Sequence, residues 1–261
     1  MLFRTLLLAA LFLLPLIPHT AQAQVEVPIL LYHRFGPTVA DSMTITDSNF
    51  EDHLRYLKDN GYKVIPLRQL VEYVRGKGPE PAPKSVVIVV DDGHKSVYSD
   101  MLPLVKKYNI TVTLFIYPSA ISNAKYAMTW DQLRSLQSTG LFEVDSHTYY
   151  HPNFRQEKKK LSPAAYKKLV DYQLKRSKEK LEKQMGRPVE YLAWPFGIID
   201  DELFEEARKA GYVATFSIVA RKAKKGDDPM RLPRFLLSNG SAAKVLGHIV
   251  PPQNVAALKK K

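Results

Sequence analysis

The chain has 261 residues and a formal net charge of +12, with 38 lysines and arginines against 26 acidic residues. It contains no cysteine, which excludes a disulfide framework, a thiolate nucleophile and a thiolate metal ligand. The basic balance is compatible with an anionic partner. Composition alone leaves the oligomeric state open.

The first residues have the pattern of an export signal. Arg4 supplies a positive charge, an apolar run covers residues 5–18, and Ala21-Gln22-Ala23 matches a small-x-small cleavage site. The apolar run is short for a membrane span. We therefore expect residues 1–23 to be a signal peptide and residues 24–261 to form one mature domain, periplasmic or extracellular. Export argues against nucleic acid as a partner and favours an anionic envelope surface.

Strands and helices alternate along the mature chain. Apolar runs predict strands over residues 27–32, 62–65, 85–90, 111–117, 142–147, 191–194, 212–218 and 231–236. Helical spacing and end signals predict helices over residues 49–60, 67–74, 100–108, 129–136, 163–185, 201–210 and 241–249, with Asp47 or Ser48 capping the first. This alternation predicts an α/β fold, a distorted (β/α) barrel of about seven strands. No glycine-rich nucleotide fingerprint follows the first strand, which weakens an open doubly wound sheet as the alternative.

The most informative stretch is Val86 to Val90, an apolar run that continues directly into Asp91, Asp92 and Gly93. Such a run is typical of a strand buried on both faces. Adjacent strand residues point to opposite sides, so the two carboxylates cannot share one task if both stay extended. Gly93 permits a turn that could bring both toward one site. A simple acidic turn is the alternative.

Barrel enzymes place their active sites at the C-terminal ends of the strands, which gives a test from sequence alone. Polar or turn-forming residues follow five of the predicted strands. These are His33, Asp91 with Asp92, His147 with His151, the turn Trp194-Pro195-Phe196-Gly197, and Arg231 or Arg234. We therefore expect a hydrolase-type site at this rim.

His147 and His151 lie four residues apart, a spacing that lets both rings face one ion. Two histidines and one carboxylate leave coordination positions free for water and substrate. Zinc is the first expectation for one divalent ion held this way, and Co, Ni or Fe fit the same ligands. One aspartate would bind the ion while the other takes a proton from the attacking water. Two unrelated loop histidines are the alternative.

Three motifs in this order resemble those of polysaccharide deacetylases, the NodB-homology carbohydrate esterases. They are Val90-Asp91-Asp92-Gly93, the segment from Ser146 to Pro152, and Ala193-Trp194-Pro195-Phe196-Gly197. The resemblance implies a distorted barrel and metal-dependent removal of N-acetyl, sometimes O-acetyl, groups from glycans. Carried over by motif, it implies that Asp91 is the catalytic base, that Asp92, His147 and His151 bind the metal, and that the Phe196 backbone N–H serves the oxyanion.

The start of the domain, residues 28–35, is similar to the opening motif of a subgroup with rearranged motif order, typified by exported poly-N-acetylglucosamine deacetylases. That resemblance implies His33 as the general acid, with His248 as the rival. The usual arginine of the third motif is missing beside Trp194. Arg231 or Arg234 could supply a cation that orients Asp91.

Trp194 lies in the predicted site turn, where its ring would either stack on a sugar or pack in the core. From these observations we predict an exported, metal-dependent enzyme that removes N-acetyl groups from a polysaccharide, with β-linked N-acetylglucosamine as the expected unit. Two alternatives remain. One is a non-catalytic glycan-binding or biofilm-assembly protein on the same scaffold, and the other is a glycosidase that uses Asp91 with a second acid. The glycosidase gives the two histidines no role.

Overall fold

The computed structural model describes residues 24–239 and 242–252. The predicted signal peptide lies outside the described residues. Within the described ranges, no helix combines the length and the apolar character that crossing a membrane requires.

Short strands alternate with helices through the described chain. The strands are β1 Glu26–Val27, β2 Ile29–Tyr32, β3 Arg34–Gly36, β4 Thr44–Thr46, β5 Lys63–Val64, β6 Ser85–Asp91, β7 Val112–Ile116, β8 Phe142–Ser146, β9 Tyr191–Ala193, β10 Ala214–Phe216, β11 Ala223–Lys224 and β12 Phe235–Leu236. All of their pairings are parallel except that of β1 with β11. The helices are α1 Asp47–Asp59, α2 Leu67–Val74, α3 Leu102–Tyr108, α4 Trp130–Ser138, α5 Phe154–Lys160, α6 Pro163–Met185, α7 Asp201–Lys209 and α8 Ala242–Ile249.

The main sheet curls into a distorted barrel. Its strands follow the order β10-β9-β8-β7-β6-β2-β12, all pairs are parallel, and β5 pairs with the start of β6. Leu232 bridges to Phe216 of β10, while Phe235 and Leu236 pair with β2. The segment from Leu232 to Leu236 therefore joins the two ends of the sheet. The predicted barrel of about seven strands is confirmed.

β6 lies in the middle of this sheet, and all of its residues are buried. Alternate side chains of β6 face opposite sides of the sheet. Val87 and Val89 pack with Ile29 and Leu31 in an inner cluster, whereas Val90 packs in the cluster between the sheet and the helices. Full burial of one such side chain contributes about 1.5–3 kcal/mol. The same alternation places Asp91, the last residue of β6, on the inner side at the C-terminal rim.

Several details differ from the sequence expectations, among them the unpredicted strands β3, β4 and β11 and the three that follow. Thr46, not Asp47 or Ser48, caps α1 by accepting a hydrogen bond from the Asn49 N–H. Helix α5 was not predicted, because Phe154 is its one buried side chain and gives no apolar period. The last predicted strand shrinks to β12, since a 3-10 turn over Pro229–Arg231 occupies its start.

Candidate active site

A cavity of about 450 Å³ opens at the C-terminal ends of the strands. This volume lies in the range of pockets that hold small ligands. Most of the site residues expected from the sequence line it, namely His33, Asp91, Asp92, His147, His151, Trp194, Phe196 and Arg234. Residues as far apart in sequence as His33 and Arg234 therefore meet at one rim, as the strand-end rule predicts.

The turn after β6 brings both carboxylates to this cavity. Asp92 adopts a left-handed backbone conformation with φ 76°, and Gly93 follows with φ 79°. Because the backbone reverses at Asp92, the two carboxylates do not point to opposite sides, as they would in an extended strand. A Cβ atom on Gly93 would lie 2.9 Å from Cδ1 of Ile116, so the turn has no room for a larger residue. Left-handed non-glycine residues are uncommon and often mark functional sites, and His151 and Phe196, which line the same cavity, share the feature.

Asp92, His147 and His151 form a cluster whose ligand atoms all lie within 4.8 Å of one another. Oδ1 of Asp92 is 3.7 Å from Nε2 of His147 and 3.7 Å from Nε2 of His151. Nδ1 of His147 lies 2.8 Å from the carbonyl oxygen of Ala193, which fixes the ring and leaves Nε2 to face the cluster.

The electrostatics of this cluster fit a cation. Burial lowers the pKa of His147 to about 3 and also lowers the pKa of His151, so both imidazoles are neutral and offer lone pairs. Burial raises the pKa of Asp92, so the neighbouring residues do not fully offset the cost of burying its negative charge. Two neutral imidazoles and one carboxylate are a donor set for a divalent transition-metal ion.

Arg234 is the cation beside Asp91. Its Nη1 donates to Oδ1 of Asp91 at 2.7 Å, and its Nε donates to the carbonyl oxygen of Ser217 at 2.9 Å. Both side chains of the ion pair are buried. Burial alone would raise the pKa of Asp91, but Arg234, with smaller contributions from His147 and His33, brings it below the ordinary value. Asp91 is therefore held as a carboxylate.

The alternative expectation for the orienting cation, Arg231, is wrong. Arg231 is half exposed and pairs with Asp201 and Asp228 away from the cavity, with its guanidinium over the ring of Phe204. The 3-10 turn that carries Arg231 ends before the segment that closes the barrel, and Arg234 lies within that segment.

His33 lies at the cavity, directly after β2, whereas its rival His248 is exposed on α8 and does not line it. Burial lowers the pKa of His33, although Asp91 and Asp92 oppose the shift. Its buried Nδ1 finds no hydrogen-bond partner within residues 24–239 and 242–252. A buried unpaired nitrogen is costly unless a ligand or water supplies the partner.

The turn after β9 places two aromatic side chains, those of Trp194 and Phe196, in different environments. Phe196 is 58% exposed and packs its ring against His151, with ring centroids 4.7 Å apart. Trp194 is fully buried, packs edge-on against Phe154, and donates from Nε1 to Oγ1 of Thr215 at 2.9 Å. The expectation that Trp194 stacks on a sugar is therefore wrong, and its ring belongs to the core. Pro195 is also buried, which leaves Phe196 as the exposed residue of this turn.

Sequence reasoning missed two residues that shape the site. Tyr117 directly follows β7, and the strand-end rule would have found it, since it also lines the cavity. Gln173 is buried in the middle of α6, and its Oε1 accepts hydrogen bonds from the backbone N–H groups of Tyr149 and Tyr150 at 3.1 and 3.0 Å. The signal for Gln173 in the sequence was a polar residue among the apolar positions that α6 buries. Gln173 thus holds the loop between His147 and His151.

Replacing Gln173 with leucine should lower the affinity for a divalent ion by about 10- to 100-fold, the usual cost of losing a group that orients metal ligands. The two N–H groups would lose their acceptor, so the histidines would be held less firmly. A competition titration with a chromogenic chelator measures the change. Gln156→Leu on exposed α5 is the matched control. An unchanged metal affinity with only lower thermal stability would show that Gln173 merely packs.

A parallel barrel with an Asp-His-His cluster that could hold a metal ion, and with a buried Asp-Arg pair at its C-terminal rim, is an arrangement suited to a hydrolase active site. The chain belongs to the polysaccharide deacetylase family, whose sequence profile matches residues 78–215. It is therefore an enzyme of that family, and the resemblance found from its three motifs is confirmed.

Curated relatives and solved structures support this assignment. A poly-beta-1,6-N-acetyl-D-glucosamine N-deacetylase of Staphylococcus epidermidis is 27% identical over 209 residues, which cover 78% of this chain and 71% of that protein. The Staphylococcus aureus protein of the same name is 26% identical over 200 residues, covering 75% and 68%.

The structure of IcaB from Ammonifex degensii has a TM-score of 0.76 and 26% identity, covering 87% of this chain and 97% of that one. The Streptococcus pyogenes deacetylase PplD, solved with acetate, has a TM-score of 0.77 at 21% identity, covering 88% and 100%. At 21% identity, the similarity to PplD supports the fold alone.

Proposed function

We propose that this enzyme removes N-acetyl groups from poly-β-1,6-N-acetylglucosamine and releases acetate. The observation that carries the proposal is the buried Asp91–Arg234 ion pair beside the Asp92, His147 and His151 cluster. The substrate is suggested by relatives named poly-beta-1,6-N-acetyl-D-glucosamine N-deacetylases. The proposal includes export through residues 1–23 and action outside the cytoplasm by residues 24–261.

Each residue at the rim has a task in amide hydrolysis. Asp91, kept ionised by Arg234, takes a proton from the water that attacks the acetamide carbonyl. The backbone N–H of Phe196 faces the oxyanion of the tetrahedral intermediate. His33, in its imidazolium form, donates a proton to the departing sugar nitrogen, and the bond between this nitrogen and the acetyl carbon breaks. Water supplies one oxygen of acetate, and the proton that Asp91 took from the water returns His33 to its imidazolium form.

Asp92, His147 and His151 would hold one divalent ion. When bound, such an ion acts as a Lewis acid that polarises the carbonyl and lowers the pKa of the attacking water. Zinc is the first candidate, because it is commonly bound by histidine and carboxylate, and Co, Ni or Fe accept the same ligands.

The wild-type enzyme should release acetate from β-1,6-linked N-acetylglucosamine oligomers. A chelator should abolish the release, and adding back a divalent ion should restore it, because the residues that bind the substrate remain in place. Acetate is measured by a coupled enzymatic assay, and reducing ends are measured in parallel. Acetate release that persists in chelator would contradict the metal role, and new reducing ends without acetate would point to a glycosidase.

A further inference from the structure

Two tyrosines, one lining the cavity and one hydrogen-bonded to the first, have no place in the proposed chemistry. Tyr117 lines the cavity beside the two histidines, with its ring centroid 5.3 Å from that of His151. Its hydroxyl lies 2.7 Å from the hydroxyl of Tyr126, which is 42% exposed. We call Tyr117 and Tyr126 the tyrosine pair. It extends from the histidines toward solvent.

Backbone hydrogen bonds join the segment that carries Tyr126 to the turn that carries the two carboxylates. The N–H of Lys95 donates to the carbonyl oxygen of Tyr126 at 2.8 Å, and the N–H of Met128 donates to the carbonyl oxygen of Gly93 at 3.0 Å. The ring of Tyr126 also stacks on His94, with 9° between the planes. A binding group fixed in this way loses little conformational entropy when a ligand arrives.

The chemistry of the pair matches a sugar hydroxyl. One phenol donates to the other, so one O–H remains free to donate and both oxygens retain lone pairs to accept. A sugar hydroxyl both donates and accepts. The rings add apolar surface that can lie against the carbon skeleton of a pyranose. Exposed Phe196 borders the same cavity, so a glycan would pass between two aromatic walls.

We propose that Tyr117 and Tyr126 form a subsite for hydroxyl groups of the sugar unit that adjoins the one losing its acetyl group. This inference rests on the proposed function. The adjoining unit is the one concerned, because the tyrosine pair lies on the solvent side of the histidines while the reacting acetamide must lie beside Asp91. The subsite would make the enzyme prefer a polymer to a monosaccharide.

The double substitution Tyr117→Phe with Tyr126→Phe tests the subsite, because either single change leaves one hydroxyl in place. With a β-1,6-linked N-acetylglucosamine pentamer, KM should rise about 10-fold, as expected for losing one or two hydrogen bonds, while kcat stays nearly constant. Acetate release from N-acetylglucosamine itself should fall by a clearly smaller factor, since the monosaccharide has no adjoining unit. Tyr172→Phe is the matched control, because Tyr172 is similarly exposed but lies on α6.

Calorimetric binding of the pentamer keeps this test separate from the test of the proposed function. The Kd of the double variant should rise by the same factor as KM. An unchanged KM and Kd for the pentamer would overturn the subsite. An equal loss on the monosaccharide would also overturn it, because the pair would then only brace the histidines. If the wild type releases no acetate, the proposed function fails, and the Kd comparison still decides whether the pair binds glycan.

Discussion

Replacing Asp91 with asparagine should lower kcat for acetate release by a factor on the order of 10² to 10⁴, the usual contribution of a general base. The amide of asparagine cannot take the proton of the attacking water. Bound metal should stay near one ion per chain, because Asp92, His147 and His151 are unchanged. Steady-state acetate release and metal analysis of the same preparation measure the two properties.

Asp92→Asn is the matched control for this substitution. It alters the neighbouring carboxylate and should reduce metal content together with activity. Asp91→Asn also leaves Arg234 without its counter-charge, so thermal unfolding must be followed in both variants and turnover measured where each remains folded. Wild-type turnover in Asp91→Asn would contradict the assignment of Asp91 as the base. A loss of metal in that variant would indicate that Asp91, and not Asp92, binds the ion.

Replacing Arg234 with methionine should destabilise the fold by about 3–5 kcal/mol, because Asp91 would remain buried without a partner. Turnover should also fall sharply, since burial would then raise the pKa of Asp91 and leave part of the carboxylate protonated. Urea unfolding and acetate release measure the two effects. Arg231→Met is the matched control: it removes a half-exposed arginine three positions away and should cost no more than about 1 kcal/mol.

The effect of Arg234→Met on stability should depend on pH. In the wild type the folded-state pKa of Asp91 is below its ordinary value. The ion pair therefore stabilises the fold above the ordinary pKa of about 4, and this stabilisation is lost as the pH falls through the folded-state value. In the variant, burial raises that pKa, so the unpaired charge is most costly near neutral pH. The difference in free energy of unfolding should shrink on acidification, and a constant difference between pH 7 and pH 4 would contradict this account.

The alternation of strands and helices along the chain and the position of the rim follow from local patterns that the sequence shows directly. The unbroken apolar run of β6 requires burial on both faces, and the rule for barrel strands then places Asp91, His147 and Trp194 at one end. Helix α6 matches its predicted bounds because Ser162 caps its start and Gly186, with φ 66°, ends it. Such features depend on a few neighbouring residues, so they can be predicted without tertiary information.

The features that could not be predicted depend on contacts between distant segments. Both Arg231 and Arg234 lie in the last predicted strand, and only the closure of the barrel decides which one meets Asp91. Trp194 lies in the site turn, yet its ring points toward Phe154 of α5, a helix with too little apolar pattern to be predicted. The left-handed conformation of Asp92 is also not specified by the apolar run before it.

The segment from Leu232 to Leu236 has a consequence for when the enzyme becomes active. Asp91 belongs to the first half of the chain, whereas its counter-charge arrives 143 positions later. A chain that is still being synthesised, or one that has lost the segment from Leu232 onward to a protease, holds the acid without the guanidinium that keeps it ionised. On the proposed mechanism, competence for hydrolysis therefore coincides with completion of the barrel. An unfinished or clipped molecule should release far less acetate from acetylated glycans, even where its histidines are already in place.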